Sequence, residues 1–213
     1  MKVEIWSDVA CPFCYIGKRS FEQALEGFEH RDEVEVEWRS FQLDPTAPEK
    51  VEGGLNALIA QKYGRTEDEA REMNQRVIDM AAGFGLEYDF DRAQPSNTRD
   101  AHRLLHLARA HGREDEAEER LFRAYFVEGE RLSDRETLAR LGEEVGLDRA
   151  EVERVLAGDD LGDAVDAEVA EAQGLGLSGV PAFVLDRRLL VSGAQPPEAI
   201  RGALAQAWET REG

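Results

Sequence analysis

The sequence predicts an α/β chain whose sheet is split by a long helical stretch, and three observations carry that expectation. Alternating apolar patterns, the mark of strands, occur only near the two ends of the chain. The opening segment reads strand, helix, strand. Between the ends, about 130 residues carry helical spacing with little strand signal.

Val3 and Ile5 alternate with Lys2, Glu4 and Trp6, a short strand over Lys2–Ser7. Cys11-Pro12-Phe13-Cys14 follows, and Ile16, Phe21, Leu25 and Phe28 then fall at helical spacing, so the cysteine motif opens a helix with proline in its first turn. Val34, Val36 and Trp38 alternate with Glu35, Glu37 and Arg39, a second strand that ends near Leu43-Asp44-Pro45. Helical patterns then succeed one another. Leu55, Leu58 and Ile59 mark the first, Thr66-x-x-Glu69 caps the second, and Leu104, Leu105 and Ala108 mark the third. Leu121 and Tyr125 mark a fourth, Ser133-x-x-Glu136 caps a fifth, Asp148-x-x-Glu151 opens a sixth, and Leu161, Val165 and Val169 mark a seventh. Strand character returns at Val180-Pro181-Ala182-Phe183-Val184-Leu185, turns at Asp186-Arg187, and continues through Leu189-Leu190-Val191; Pro196-Pro197-Glu198 starts a last helix. Residues 1–45 and 176–213 therefore add as β-α-β plus β-β-α. That split order predicts a thioredoxin-like fold with a large all-helical insertion domain over residues 46–175.

The chain has 213 residues, 42% of them apolar, enough to build ordinary cores and to exclude a disordered chain. The net charge is −19, and only four of the basic residues are Lys. A phosphate lattice is repelled by such a surface, so neither nucleic acid nor an anionic membrane is an expected partner. No apolar run approaches the ~20 residues that cross a bilayer. The start, Met1-Lys2-Val3-Glu4-Ile5-Trp6, enters a strand pattern without the apolar core of a secretory signal, and a cytoplasmic protein is the expectation. An acidic, lysine-poor composition fits solubility in concentrated salt, or a bias toward arginine; either way it concerns solubility.

The chemistry is sought at the two cysteines, Cys11 and Cys14. Two sulfurs separated by two residues on the first turn of a helix can close a small ring, so dithiol and disulfide states are both accessible. Unpaired N–H groups at a helix start favour a thiolate, and thiols at such sites drop from ~8.5 to roughly 3.5–7.5. Cys11 lies where these groups converge and solvent can reach; Cys14 lies one turn in. Cys11 is thus the expected nucleophile and Cys14 the resolving thiol, with Pro12 and Phe13 completing the motif and a mixed disulfide as intermediate. Two inert core thiols are the plain alternative. A zinc site with His102 and His106 is disfavoured by the long interval between the pairs, and His102-Arg103-Leu104-Leu105-His106 lacks the Glu of a metalloprotease helix, so no metal is expected. Pro181 breaks an apolar run. An edge proline is one reading; a cis Val180-Pro181 bond, leaving the Val180 backbone free to pair with an extended substrate, is the favoured one.

Four segments carry a family resemblance: Asp8-x-x-Cys11-Pro12-Phe13-Cys14-Tyr15-Ile16-Gly17-Lys18, Phe41-Gln42-Leu43-Asp44-Pro45, Asn97-Thr98-x-x-Ala101-His102-Arg103, and Ser178-Gly179-Val180-Pro181-Ala182-Phe183. Together they resemble the FrnE-type branch of the DsbA family of disulfide oxidoreductases. The resemblance implies a cytosolic thiol-disulfide oxidoreductase or isomerase that uses no cofactor and acts on protein or small-molecule thiols and disulfides. By it, Cys11 and Cys14 carry the redox step and Pro181 is a cis proline facing them. Val180 and Pro181 are the expected substrate contacts; Asn97 and His102, on a helix start that could sit over the groove, are further candidates, His102 otherwise tuning the thiolate or lying at the domain interface. Phe13 stands where many relatives carry Trp. The same architecture resembles 2-hydroxychromene-2-carboxylate isomerases and kappa-type glutathione transferases, which usually place Ser at the nucleophile position; a glutathione-dependent isomerase or transferase is the alternative function. Among other residues, Lys18 is expected to be solvated or to favour the thiolate, Trp6, Phe13 and Tyr15 to line a groove, with a place in the core as the alternative for Trp6, and His106 to pack. Glu4 is the nearest strand candidate for a buried acid that shuttles protons.

Overall fold

The computed structural model describes residues 1–212. Four strands, β1 (Lys2–Ser7), β2 (Glu35–Ser40), β3 (Ala182–Leu185) and β4 (Leu189–Ser192), form one sheet in the order β2-β1-β3-β4. β2 runs parallel to β1, which requires the crossover helix α1 (Pro12–Glu26); β3 and β4 run antiparallel, as a tight turn at Asp186-Arg187 allows. The alternation that marks β1 separates two covered faces. Val3 and Ile5 pack with Phe21 and Phe28, with Phe183 and Leu185, and with Ile200 and Leu204 of the last helix, α9 (Pro197–Glu209). Trp6 enters the opposite layer with Ala172, Leu177, Ala182 and Val184.

Between β2 and β3 come α2 (Gly54–Tyr63), α3 (Glu67–Ala82), α4 (Arg99–Ala110), α5 (Glu114–Arg123), a π turn over Ala124–Glu128, α6 (Arg135–Glu144), α7 (Arg149–Ala157) and α8 (Gly162–Gly174). The Thr66 capping box and the Asp148 cap stand where the sequence puts them. The fifth expected cap is displaced by one residue. Asp134 accepts the N–H of Thr137 at 3.0 Å and caps α6, because the Ser133 hydroxyl is taken by the Glu49 carbonyl. β3 likewise starts at Ala182, two residues after the apolar run begins, since Pro181 has no N–H for the ladder. No helix among the described residues is long and apolar enough to cross a membrane.

The helical stretch does not keep its core to itself. Leu104, Leu121, Phe122, Tyr125, Phe126 and Leu138 belong to one apolar cluster with Cys11, Cys14, Tyr15 and Ile16, and the Tyr15 ring stacks on Phe122 at 4.8 Å between centroids. The cysteine motif therefore sits in the seam between sheet and helices.

A buried ionic network closes the same seam on the far side. Glu168 of α8 accepts from Arg39 (2.9 Å), Arg109 (2.8 Å) and the Ser40 N–H (2.7 Å), with His106 at 3.2 Å. Burial opposes ionisation of Glu168, but hydrogen bonds from His106, Arg109 and the Ser40 N–H outweigh it and hold the carboxyl well below the usual range. A depressed folded-state value stabilises above the ordinary 4.5 and is lost as pH falls below it. Glu168→Gln is therefore expected to cost about 3 kcal/mol at neutral pH. Melting curves should show the gap to wild type narrowing as pH is lowered from 4.5; a constant gap contradicts the ionic account.

Candidate active site

β1 delivers the chain to the site, and Asp8 shapes the turn that follows. The Asp8 carbonyl accepts the Cys11 N–H at 2.9 Å; its carboxylate accepts the N–H of Ala10 at 3.2 Å and of Leu43 at 2.8 Å. The end of β2 is thereby tied to the turn, which explains why both segments belong to the motif set. Cys11 is the N-cap of α1 and Pro12 is in its first turn, where a missing N–H does no harm. The Tyr88 hydroxyl donates to the Pro12 carbonyl at 2.7 Å. Opposite lies the segment before β3: the Val180-Pro181 peptide bond is cis, and the Cys11 thiol donates to the Val180 carbonyl at 3.5 Å. Pro181 approaches α1 so closely that a Cβ added to Gly17 would lie 2.7 Å from its Cγ. Close approach is the reason for a glycine inside this helix.

Both cysteines are free thiols. Cys11 keeps 4% of its surface and Cys14 none. The opening over Cys11 is thus narrower than expected, because Val180 lies on its sulfur and Tyr88 fixes the adjacent turn. Burial pushes the Cys14 thiol well above its ordinary value, and a charge on neighbouring Cys11 adds to this, against the smaller opposing effect of the Asp8 N–H and the Ser7 hydroxyl.

Comparison with known proteins fits this geometry. The DSBA-like thioredoxin domain family matches residues 2–205. The chain belongs to that family. An uncharacterized protein of Bacillus subtilis, YwbO, is 32% identical over 155 residues, which is 72% of this chain and 70% of that protein. The crystal structure of a probable DsbA oxidoreductase from Streptomyces coelicolor is 44% identical, with a TM-score of 0.94 over 98% of this chain and 90% of that one. The cytosolic disulfide reductase DsbM from Pseudomonas aeruginosa, solved with GSH, shares the fold at 19% identity, with a TM-score of 0.68 over 98% of this chain and all (100%) of the other. This DsbA-family protein is a thiol-disulfide oxidoreductase with a thioredoxin-like fold.

Several residues expected at its site do other work. Asn97 does not face the groove: its amide donates to the carbonyls of Pro45 (3.1 Å) and Ala47 (3.0 Å) and accepts the Arg99 N–H, which pins the loop after β2. His102 is 1% exposed and faces Asp8 at 3.5 Å, so it cannot touch a substrate directly. His106 bonds Ser40 and Glu168 on the far side of the seam. Lys18 is neither solvated nor free to act on the thiols: three acids, Glu22, Asp115 and Glu119, converge on its buried ammonium, and their attraction outweighs burial and raises its value. Trp6 is core, donating to the Glu168 carbonyl, and Tyr15 is buried with its hydroxyl on Glu119 at 2.5 Å. Of the three aromatics only Phe13 faces out, 39% exposed. Glu4 is buried but fully paired with Arg39 and Arg187; burial opposes its charge, yet their hydrogen bonds win and lower its value, so it holds no proton to exchange.

The acid that sequence reasoning missed is Glu118 of α5. It is 1% exposed, and its Oε1 accepts the Ser7 hydroxyl at 2.7 Å. Burial pushes its carboxyl up to about 7, against the hydrogen bond from Ser7. A signal was present: Glu118 occupies an apolar stripe with Ala117, Leu121, Phe122 and Tyr125.

Proposed function

We propose that this protein exchanges disulfides in the cytoplasm through Cys11, with Cys14 resolving, and that it belongs to the FrnE-type branch of its family. The observation that carries the reading is the placement of Cys11 at the N-cap of α1, its sulfur 3.5 Å from the Val180 carbonyl and Cys14 buried one turn behind. In the reducing direction the Cys11 thiolate attacks a substrate disulfide, forms a mixed disulfide and expels one substrate thiolate. The Cys14 thiolate then attacks the Cys11 sulfur, closes the Cys11–Cys14 disulfide and expels the second; the oxidising direction is the reverse. Pro12 and Phe13 complete the reacting loop, with Phe13 an apolar contact at its edge. When substrate displaces the thiol proton from the Val180 carbonyl, that carbonyl becomes an acceptor for an extended chain, with Pro181 holding it in place.

A cytoplasmic setting is supported by cysteine usage, since both thiols lie in the motif and none serves a structural disulfide. We assign residues 1–45 and 176–213 to the thioredoxin-like domain and 46–175 to the helical insertion. Cys14 distinguishes this reading from a glutathione-dependent isomerase or transferase, which has no use for a resolving thiol. Equilibration with glutathione buffers of graded potential, read by mass, is expected to show one two-electron step that links Cys11 to Cys14. Accumulation of a stable glutathione adduct without that link overturns the reading.

A further inference from the structure

An ionised Cys11 has no proton to give to the Val180 carbonyl and needs donors of its own. The start of α1 holds few. Of the first four N–H positions of a helix, which the helix itself leaves free, the Cys11 N–H goes to the Asp8 carbonyl at 2.9 Å and the Cys14 N–H to the Cys11 carbonyl at 3.0 Å. Pro12 has none. The Phe13 N–H remains, at a position from which a helix donates to its N-cap side chain, and Cys11 is that N-cap. The same peptide group carries the Pro12 carbonyl on its other side, and that oxygen accepts the Tyr88 hydroxyl at 2.7 Å. As the first carbonyl inside the helix it also faces the Ile16 N–H in the ordinary helical pattern. The phenol is thus a second donor to an oxygen already served.

The segment between α3 and α4 fixes this phenol in place. The buried Tyr88 ring stacks on Phe126 at 4.8 Å between centroids and on Phe90 at 5.3 Å, and the next residue, Asp89, gives its N–H to the Phe126 carbonyl in the π turn at 2.7 Å. Burial above all, then negative charge on Cys11, Tyr15 and Cys14, pushes the phenol upward against the smaller effect of Arg19, so it stays a donor at working pH. We propose that Tyr88 is a positioning residue that tunes the Cys11 thiolate through one peptide group. Its hydroxyl, bonded to the Pro12 carbonyl, polarises the Pro12–Phe13 peptide and makes the Phe13 N–H a stronger donor to the sulfur. Hydrogen bonds in series strengthen one another by roughly 10–30% each. The anion exists only in the reduced protein; in the Cys11–Cys14 disulfide the Phe13 N–H has no charge to meet, so the contribution falls on the dithiol state. The helical insertion thereby sets the strength of a nucleophile carried on the sheet side.

The inference rests on the proposed exchange, and the pH profile of Cys11 alkylation by iodoacetamide in the reduced protein, read by peptide mapping, separates the two. In Tyr88→Phe, which keeps the ring and its stacking, the midpoint of that profile is expected to rise by roughly 0.3–0.5 of a pH unit. Above both midpoints, equilibration with glutathione buffers should shift the variant about two- to threefold toward its disulfide. Replacing Tyr88 by 3-fluorotyrosine, whose phenol is the stronger acid and the stronger donor, should move both readings the opposite way. A midpoint unmoved in both variants overturns the tuning, whatever the melting temperature does, since loss of stability alone is the mark of a merely structural role. So does movement in the same direction in both. Absence of Cys11 alkylation in wild type at any pH overturns the exchange itself.

Discussion

Cys14→Ser is expected to turn the protein into a trap. Cys11 still attacks, but the hydroxyl of Ser cannot displace the captured sulfur, so mixed disulfides accumulate and turnover with a model disulfide falls by about a hundredfold or more. The physical ground is the order of the two thiols along α1. Cys11, at the N-cap, faces the Val180 carbonyl and retains the pair's remaining exposure, whereas Cys14 is closed off and is pushed upward by burial. Cys11→Ser should leave Cys14 intact and yet give no adduct at all. Nonreducing electrophoresis with mass mapping distinguishes the variants, and an adduct on Cys14 in Cys11→Ser reverses the assignment. Wild-type turnover in Cys14→Ser favours the glutathione-dependent alternative.

Gly17→Ala is expected to damage exchange far more than it damages the fold. Alanine in a helix interior gains about 1 kcal/mol over glycine, but here its Cβ would stand 2.7 Å from Pro181 Cγ and 3.4 Å from Phe183 Cζ. The proline ring cannot swing away as a flexible chain would. Overpacking of this kind costs roughly 1–3 kcal/mol, so the net stability change is small and unfavourable. Relief comes by moving the segment before β3, which carries the Val180 carbonyl away from Cys11, and displacements near 1 Å can cost up to about a hundredfold in rate. Gly202→Ala is the control: an added Cβ there meets nothing within 4 Å, and the substitution should raise the melting temperature with exchange unchanged. Gly17→Ala with wild-type exchange would detach Pro181 from the reaction.

The two ends of the fold were legible because their strands alternate and their turns carry proline and glycine, and the motif was legible because Cys11-Pro12 opens a helix straight after a strand. The seam was not. Asn97 looks like a free amide at a helix start until the carbonyls of Pro45 and Ala47 come to meet it from another loop. Lys18 looks solvated on its own helix; the acids that bury it include Asp115 and Glu119 on α5. Glu118 lies in a run of acids, and its place on the apolar stripe of α5 marks it as buried without showing that it meets Ser7, which only the fold brings to it. In each case the partner lies far along the chain, where helical period and propensity carry no information.

In the proposed exchange Cys11 is held reactive at the first turn of α1 while Cys14 is withheld. Brief treatment of the reduced protein with iodoacetamide at pH 7, followed by peptide mapping, tests it most directly. Rapid carbamidomethylation of Cys11 with Cys14 unmodified is the expected result; an inert Cys11, or Cys14 modified first, overturns the assignment of the two thiols.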